Sequence, residues 1–357
     1  MVLDKLKGAI LMKVSKVLMV LGSLTLVASV TACGTSTPTK AAASKHYTIY
    51  AFEPDMAELP FSSGGAPGLK AAARKYRNLT LRIEDGQGDP ATQATEITDA
   101  IATHPSAMII DPVTSAGEDA AIRAARAAGI PVFIMDRELN DPSLAKVSFV
   151  AHQFAMGRAA VQYDVKYLQA KHVPTPWNVV VLQGQLGVVA NTRRTAGDFS
   201  VLNPLIKQGK VHVVANEPAN WSSSTAVKVM GSILTKTHNI QLIVASNDGE
   251  ATGVKVAMAT AGLTLGHGIY MSGNDGSPAG VAMIQKGIEI DSPVNPLWLE
   301  AYWAVEGSMQ YLQHGTLPSS GSGSVITLPT SLVNPTNVST YGPYGEPKNG
   351  VAPKLPY

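Results

Sequence analysis

The sequence predicts an α/β protein built as two similar parallel-sheet lobes. Three observations carry that prediction. Short β-type runs alternate with helical segments from Tyr47 to a long helix after Pro296. One strand–helix–strand stretch of the first half has an echo in the second. And 357 residues, 45% of them apolar, suffice for roughly two cored domains.

In the first half, Tyr47–Phe52, Leu79–Glu84, Ala107–Ile110 and Val132–Met135 read as strands, short and apolar. Gly64–Tyr76, Ala91–Thr103 and Gly117–Ala128 between them have helical spacing. The alternation then resumes, with helices over Phe154–Ala170, Thr192–Lys207, Thr225–Lys236, Glu250–Ala261 and Pro278–Lys286. Strands are expected at Asn178–Leu182, Val211–Ala215, Leu242–Ala245 and Ile269–Ser272. A long helix begins after Pro296, where proline suits the first turn. The tail from Pro329 is rich in Pro, Asn and Gly and is expected to run over the surface.

The echo pairs Met108–Arg137 with Leu242–Gly276: strand, polar tip, alanine-rich helix, Ala-Gly, strand, Asp. Asp111 and Asn247 end the first strands of the two units, and Asp136 and Asp275 end the second. Parallel sheets bind ligands beyond the carboxyl ends of their strands, so two such rims facing each other would make a polar cleft. Asp and Asn also favour turns after strands, and Asp111 before Pro112 fits that role equally well.

The chain's single cysteine, Cys33, follows a segment of signal-peptide form. Lys13 and Lys16 precede an apolar run from Val17 to Val30, which is short for a membrane span, and Thr31-Ala32 lead to Cys33-Gly34. This resembles the lipobox of bacterial lipoproteins, in which the cysteine thiol is acylated at the mature N-terminus. The expectation is a signal over residues 1–32 and a small, polar tether over 33–45, with the start at either Met1 or Met12. Without residues 1–32 the chain has 24 basic against 25 acidic side chains, which removes the electrostatic motive for a nucleic-acid partner. With no second cysteine there is no disulfide. No Gly-x-Ser-x-Gly elbow, Walker loop or His-Glu-x-x-His occurs, so no enzyme, metal or cofactor is expected.

Further motifs add a resemblance. Ala128-Gly129-Ile130-Pro131-Val132 leads to Asp136-Arg137, and Val181-Leu182-Gln183-Gly184 is followed by Arg194-Thr195-Ala196-Gly197. Ser246-Asn247-Asp248 and Gly273-Asn274-Asp275-Gly276 follow in order. From about Tyr47 to Leu328 the chain resembles periplasmic sugar-binding proteins of the ribose-binding class, the type I receptors of bacterial ABC importers. The resemblance implies that Asp136, Arg137, Arg194, Asn247 and Asp275 bind sugar hydroxyls, with Trp221 as an aromatic platform. Carboxylates accept from paired hydroxyls and guanidinium donates through a rigid fork, so the residue types suit that task.

Departures from the family pattern point away from ribose. An acidic loop, Phe52-Glu53-Pro54-Asp55-Met56-Ala57-Glu58, replaces an aromatic one, and Asp111 stands where ribose binders carry Asn. Phe52, Glu53, Asp111 and Asn295 are added to the expected ligand set, which then suits a hydroxyl-rich or amine-bearing molecule. By the same resemblance three segments cross between the lobes: near Ala151-His152, near Asn295 and near Ser319–Ser324. The first lobe is then 46–151 plus 296–320, the second 152–295 plus 321–345, and 346–357 a tail. The implied protein is an extracytoplasmic, lipid-anchored monomer that hands a monosaccharide or polyol to an ABC permease. A receptor reporting ligand to a membrane kinase or chemoreceptor is the alternative, and a glycoside-acting Asp136–Asp275 pair a more remote one.

Overall fold

The computed structural model describes residues 45–58, 60–317, 323–348 and 351–355. The expected signal, Cys33 and nearly all of the tether lie outside the described residues, as do 318–322 of the Gly/Ser run. No described helix is long and apolar enough to cross a membrane.

The first sheet contains β1 (Tyr47–Glu53), β2 (Leu79–Asp85), β3 (Ala107–Ile110), β4 (Val132–Met135), β5 (Val147–Ala151) and β11 (Ser324–Leu328). Their order is β11-β5-β4-β3-β1-β2, and every pair is parallel. The helices α1 (Ala66–Ala73), α2 (Pro90–Ile101), α3 (Asp119–Ala127) and α9 (Leu297–His314) belong to this lobe. All residues of β3 and β4 are buried, because a parallel sheet is covered on both faces. Ile49, Phe133, Leu69 and Trp303 pack on one side, and Phe52, Ile110, Ile122 and Ile134 on the other.

The second sheet has the order β7 (Val211–Pro218), β6 (Trp177–Gln183), β8 (Leu242–Val244), β9 (Tyr270–Ser272), again all parallel. Its helices are α4 (Gln153–Ala170), α5 (Val189–Lys207), α6 (Ser223–Leu234), α7 (Asp248–Thr260) and α8 (Pro278–Gln285). Side-chain caps start three of them where sequence rules place such residues. Ser222 accepts from Thr225 N, Asn247 from Glu250 N and Ser277 from Gly280 N. Helices α4 and α5 touch backbone to backbone through two glycines. A Cβ on Gly157 would stand 2.2 Å from the Arg194 carbonyl oxygen, and one on Gly197 2.2 Å from that of Phe154.

The chain passes between the sheets after β5, between β10 (Ser292–Pro293) and α9, and between β11 and β12 (Leu332–Val333). The last passage corrects the expected boundary. Ser324–Leu328 pairs in parallel with Val147–Ala151 in the first sheet, so the Gly/Ser run precedes an edge strand of that sheet. The passage therefore falls after Leu328, and β12 then pairs antiparallel with β10. The tail is also less superficial than its composition suggests. Tyr344 is buried against Leu297 and Trp298, and Trp303 Nε1 donates to the Pro353 carbonyl at 3.0 Å.

The lobes also touch where no chain crosses. Val189 N donates to Ser115 Oγ at 2.9 Å, and Arg193 pairs with Glu138.

Candidate functional site

A cleft of about 600 Å³ opens between the carboxyl-terminal ends of the two sheets. Asp136, Arg137, Arg194, Trp221, Asn247, Asp275 and Asn295 all line it. The acidic loop reaches it through Asp55 and Glu58. Phe52, Glu53 and Asp111, expected in the same set, are fully buried and do not line it. Phe52 packs in the core of the first lobe, 6.2 Å from the Tyr50 ring centroid. Glu53 closes strand β1 with its side chain inward, into space that only Gly65 leaves open: a Cβ there would stand 2.5 Å from Glu53 Oε1. Asp111 continues β3, its N–H donating to the Phe52 carbonyl at 2.9 Å, and its carboxyl stays behind the wall.

The loops that present the remaining residues are tightly bent. Asp136, Asn220, Trp221 and Asp275 have φ of +56°, +58°, +59° and +102°, a region that non-glycine residues occupy at a cost. Such strain collects at binding rims because the surrounding fold fixes it. Asp136 is held from the backbone by its N–H to the Phe149 carbonyl, and its Oδ1 accepts from Asn295 Nδ2 at 2.7 Å.

Arg194 organises the second wall. Its Nε and Nη2 donate to Gln153 Oε1 at 2.9 and 2.6 Å, and Nη1 donates to the Ser246 carbonyl and to Asp275 Oδ1, the latter at 3.3 Å. Burial pushes Asp275 up to about 7, with Asp248 and Asp136 adding to the rise and Arg194 opposing it. Arg137 Nη1 donates to the Val113 carbonyl at 3.0 Å, and its guanidinium lies 5.0 Å from the Trp221 ring centroid. That arrangement places a cation over the indole across the cleft.

Trp221 is held rigidly. Its ring fills the space beside Gly184, where a Cβ would fall 2.1 Å from the indole, and its Nε1 donates to Ser246 Oγ at 3.2 Å. Glu250, absent from the expected set, accepts from Trp221 N at 2.7 Å and Ser246 N at 2.9 Å. Burial raises its carboxyl to about 8. Its signal in the sequence was the Asn247-x-x-Glu250 spacing of a capping box. Asn247 is largely committed to structure, since Oδ1 caps α7 and Nδ2 donates to the Trp221 carbonyl at 3.3 Å.

Gln153, at the start of α4, was also missed. Its Nε2 and the Oδ1 of Asn295 are buried atoms without a hydrogen-bond partner, both on residues that line the cleft. Buried polar atoms are almost always satisfied, so a vacant donor and a vacant acceptor in one cleft suit a polar ligand. No group of three His, Cys, Asp or Glu among the described residues is placed to hold a metal ion.

The D-apiose import binding protein of Actinobacillus succinogenes is 27% identical over 258 residues, covering 72% of this chain and 79% of the relative. The galactofuranose-binding protein of Escherichia coli is 28% identical over 254 residues, covering 70% and 77%. Among solved structures, an ABC transporter solute-binding protein from Bacillus halodurans with bound myo-inositol superposes with a TM-score of 0.73. It is 20% identical and covers 84% of this chain and 98% of its own, a likeness of fold. The periplasmic binding protein domain matches residues 54–316. The chain belongs to that family, as a type I periplasmic binding protein and not an enzyme.

Proposed function

We propose that the chain captures a monosaccharide or a related polyhydroxylated molecule between its lobes and delivers it to an ABC importer permease. Asp136, Arg137, Arg194, Asp275 and Asn295 form the polar set, with Gln153 added and Asn247 contributing what its cap leaves over. Trp221 lines the same cleft beside the Arg137 guanidinium. The observation that carries the reading is the two-sided cleft, in which charged donors and acceptors from both lobes flank one indole and two buried polar atoms lack partners. The relatives named for apiose and galactofuranose support the same ligand class. Hydrogen bonds to charged groups contribute about 1.5–3 kcal/mol each, so a few support micromolar capture, about −8 kcal/mol. Cys33 carries a lipid that holds the protein, as a monomer, at the outer side of a bacterial membrane. The lipobox-like run before Cys33 supports this.

The test is a thermal-shift screen of the purified chain against pentoses, hexoses, furanose sugars, polyols and amino sugars. A ligand at 100 times its dissociation constant adds about 2.7 kcal/mol of stability and raises the melting point. The shift is expected to disappear in Asp136→Ala and Asp275→Ala. A panel with no shift would remove simple sugars as the ligand class.

A further inference from the structure

The second lobe buries far more carboxyl groups than it has cations to neutralise. Asp164 on α4, Asp198 on α5, Asp248 on α7, and Glu289 and Asp291 before β10 are all buried, and Asp275 on the cleft wall stands at the end of the series. Four of them form two contacting pairs. Asp164 meets Asp291, and Asp248 meets Glu289, within hydrogen-bonding reach. The second contact is visible from Gly273, where a Cβ would stand 2.1 Å from Glu289 Oε1 and 2.4 Å from Asp248 Oδ1.

The other groups facing these acids do not supply the missing charge. Ser272 Oγ donates to Asp164 at 2.9 Å, and Ser292 Oγ and Ser277 N each donate to Asp248 at 2.7 Å. Tyr163 and Tyr344 are neutral neighbours whose own hydroxyls are pushed upward by burial and then by the acids, and the buried Glu250 and Glu300, which face Asp275 and Arg194, add acid and not cation. The cation that faces the group is Arg194, which acts on Asp198 and Asp275 and already serves Gln153 and Ser246. Neither oxygen of Glu289 or Asp291 has a well-placed donor. Two carboxylates cannot share a dry contact while both are ionised, so each pair must retain a proton. Glycines keep room for these groups, since a Cβ on Gly157 would crowd Asp198 and one on Gly280 would crowd Asp248.

We propose that this acidic ladder is a proton-binding site that must be filled for the lobe to fold, so that the protein is built to work in an acidic medium. The direction of titration agrees. Burial raises Asp164 to about 7 against the hydrogen bonds it shares with Asp291 and Ser272. Burial, opposed by Arg194, raises Asp198, and burial reinforced by neighbouring acids raises Glu289 and Asp291, all three well above the ordinary carboxyl range. A carboxyl whose folded pKa is raised holds its proton longer in the folded state than in the unfolded chain. Its stabilising share is therefore complete below about pH 4 and is lost as pH rises towards and through 7.

The experiment is a melting curve of the ligand-free protein from about pH 3 to pH 9, with unfolding calorimetry near pH 6 in buffers of different ionisation enthalpy. The melting temperature should be highest at the acid end and fall by roughly ten degrees or more towards pH 8. Unfolding near pH 6 should release protons. Asp164→Asn and Glu289→Gln should flatten the fall and reduce the release. A melting temperature that is flat or rises from pH 4 to pH 8, or unfolding that takes up protons, overturns the proposal even if both variants fail to fold. An unchanged slope in folded variants overturns it as well. None of these readouts uses the ligand, so they stand apart from the test of sugar capture.

Discussion

Arg194→Met is expected to abolish ligand capture and to destabilise the protein in a pH-dependent way. Methionine keeps much of the volume but removes every donor that reaches Gln153, the Ser246 carbonyl and Asp275. Breaking a buried ion pair by removing one partner costs about 3–5 kcal/mol, mostly the penalty of the charge left behind. Here the abandoned group is Asp275, already raised to about 7, so in acid it escapes the penalty by keeping its proton. The loss should be largest near pH 8 and much smaller near pH 5. Gln153 also loses the fork that orients it, so the second wall of the cleft is disordered at both pH values. Urea unfolding at the two pH values and titration with whichever ligand the screen finds will check this. An affinity within a few-fold of the parent's would show that Arg194 is structural only.

The second large effect is expected at the crossing of α4 and α5. Gly157→Val puts a branched side chain where a single Cβ already stands 2.2 Å from the Arg194 carbonyl oxygen and 2.6 Å from Asp198 Oδ1. On the other helix a Cβ at Gly197 meets the Phe154 carbonyl and, at 2.8 Å, Arg158 N. Backbone atoms cannot yield as a side-chain tip can, so the helices must separate. Since α4 carries Gln153 and α5 carries Arg194, the separation also pulls their hydrogen bonds apart. A destabilisation above about 4 kcal/mol is expected, in the range that marks core overpacking or broken buried networks. Gly157→Ala should lose less but lower affinity too, and an unaltered denaturation midpoint for either variant would contradict the packing argument.

These cases show what a linear reading of this chain reaches. The strand–helix alternation and the echo between Met108 and Leu242 reveal two parallel sheets because burial on both faces forces continuous apolar runs such as those of β3 and β4. β5 escaped because Ser148 interrupts its apolar run, and β11 because its Gly/Ser leader resembles a flexible crossing. The expected residues just past strand ends line the cleft, since the rim of a parallel sheet faces it. Glu53 and Asp111 failed because one residue of strand continuation turns a side chain behind the wall. Gln153 carries no motif of its own and Glu250 only the capping-box spacing after Asn247, because their place at the site comes from Arg194 and Trp221 folding back onto them. The proton-sharing acids were invisible for the same reason: Asp164 and Asp291 lie far apart in sequence and meet only across the packed lobe.

The contacts that join the lobes outside the cleft have a practical meaning. Ser115, Val189, Glu138 and Arg193 do not line the cleft, so they bias closing without distinguishing one solute from another. When only the closed fraction binds, apparent affinity scales with that fraction, by the same factor for every solute. Changing Glu138 or Arg193 should therefore act as a sensitivity dial. Dose–response curves for all ligands would shift together on the concentration axis, while their order of preference stays fixed. A sensor derived from this chain can thus be tuned for working range at one place and for selectivity at another.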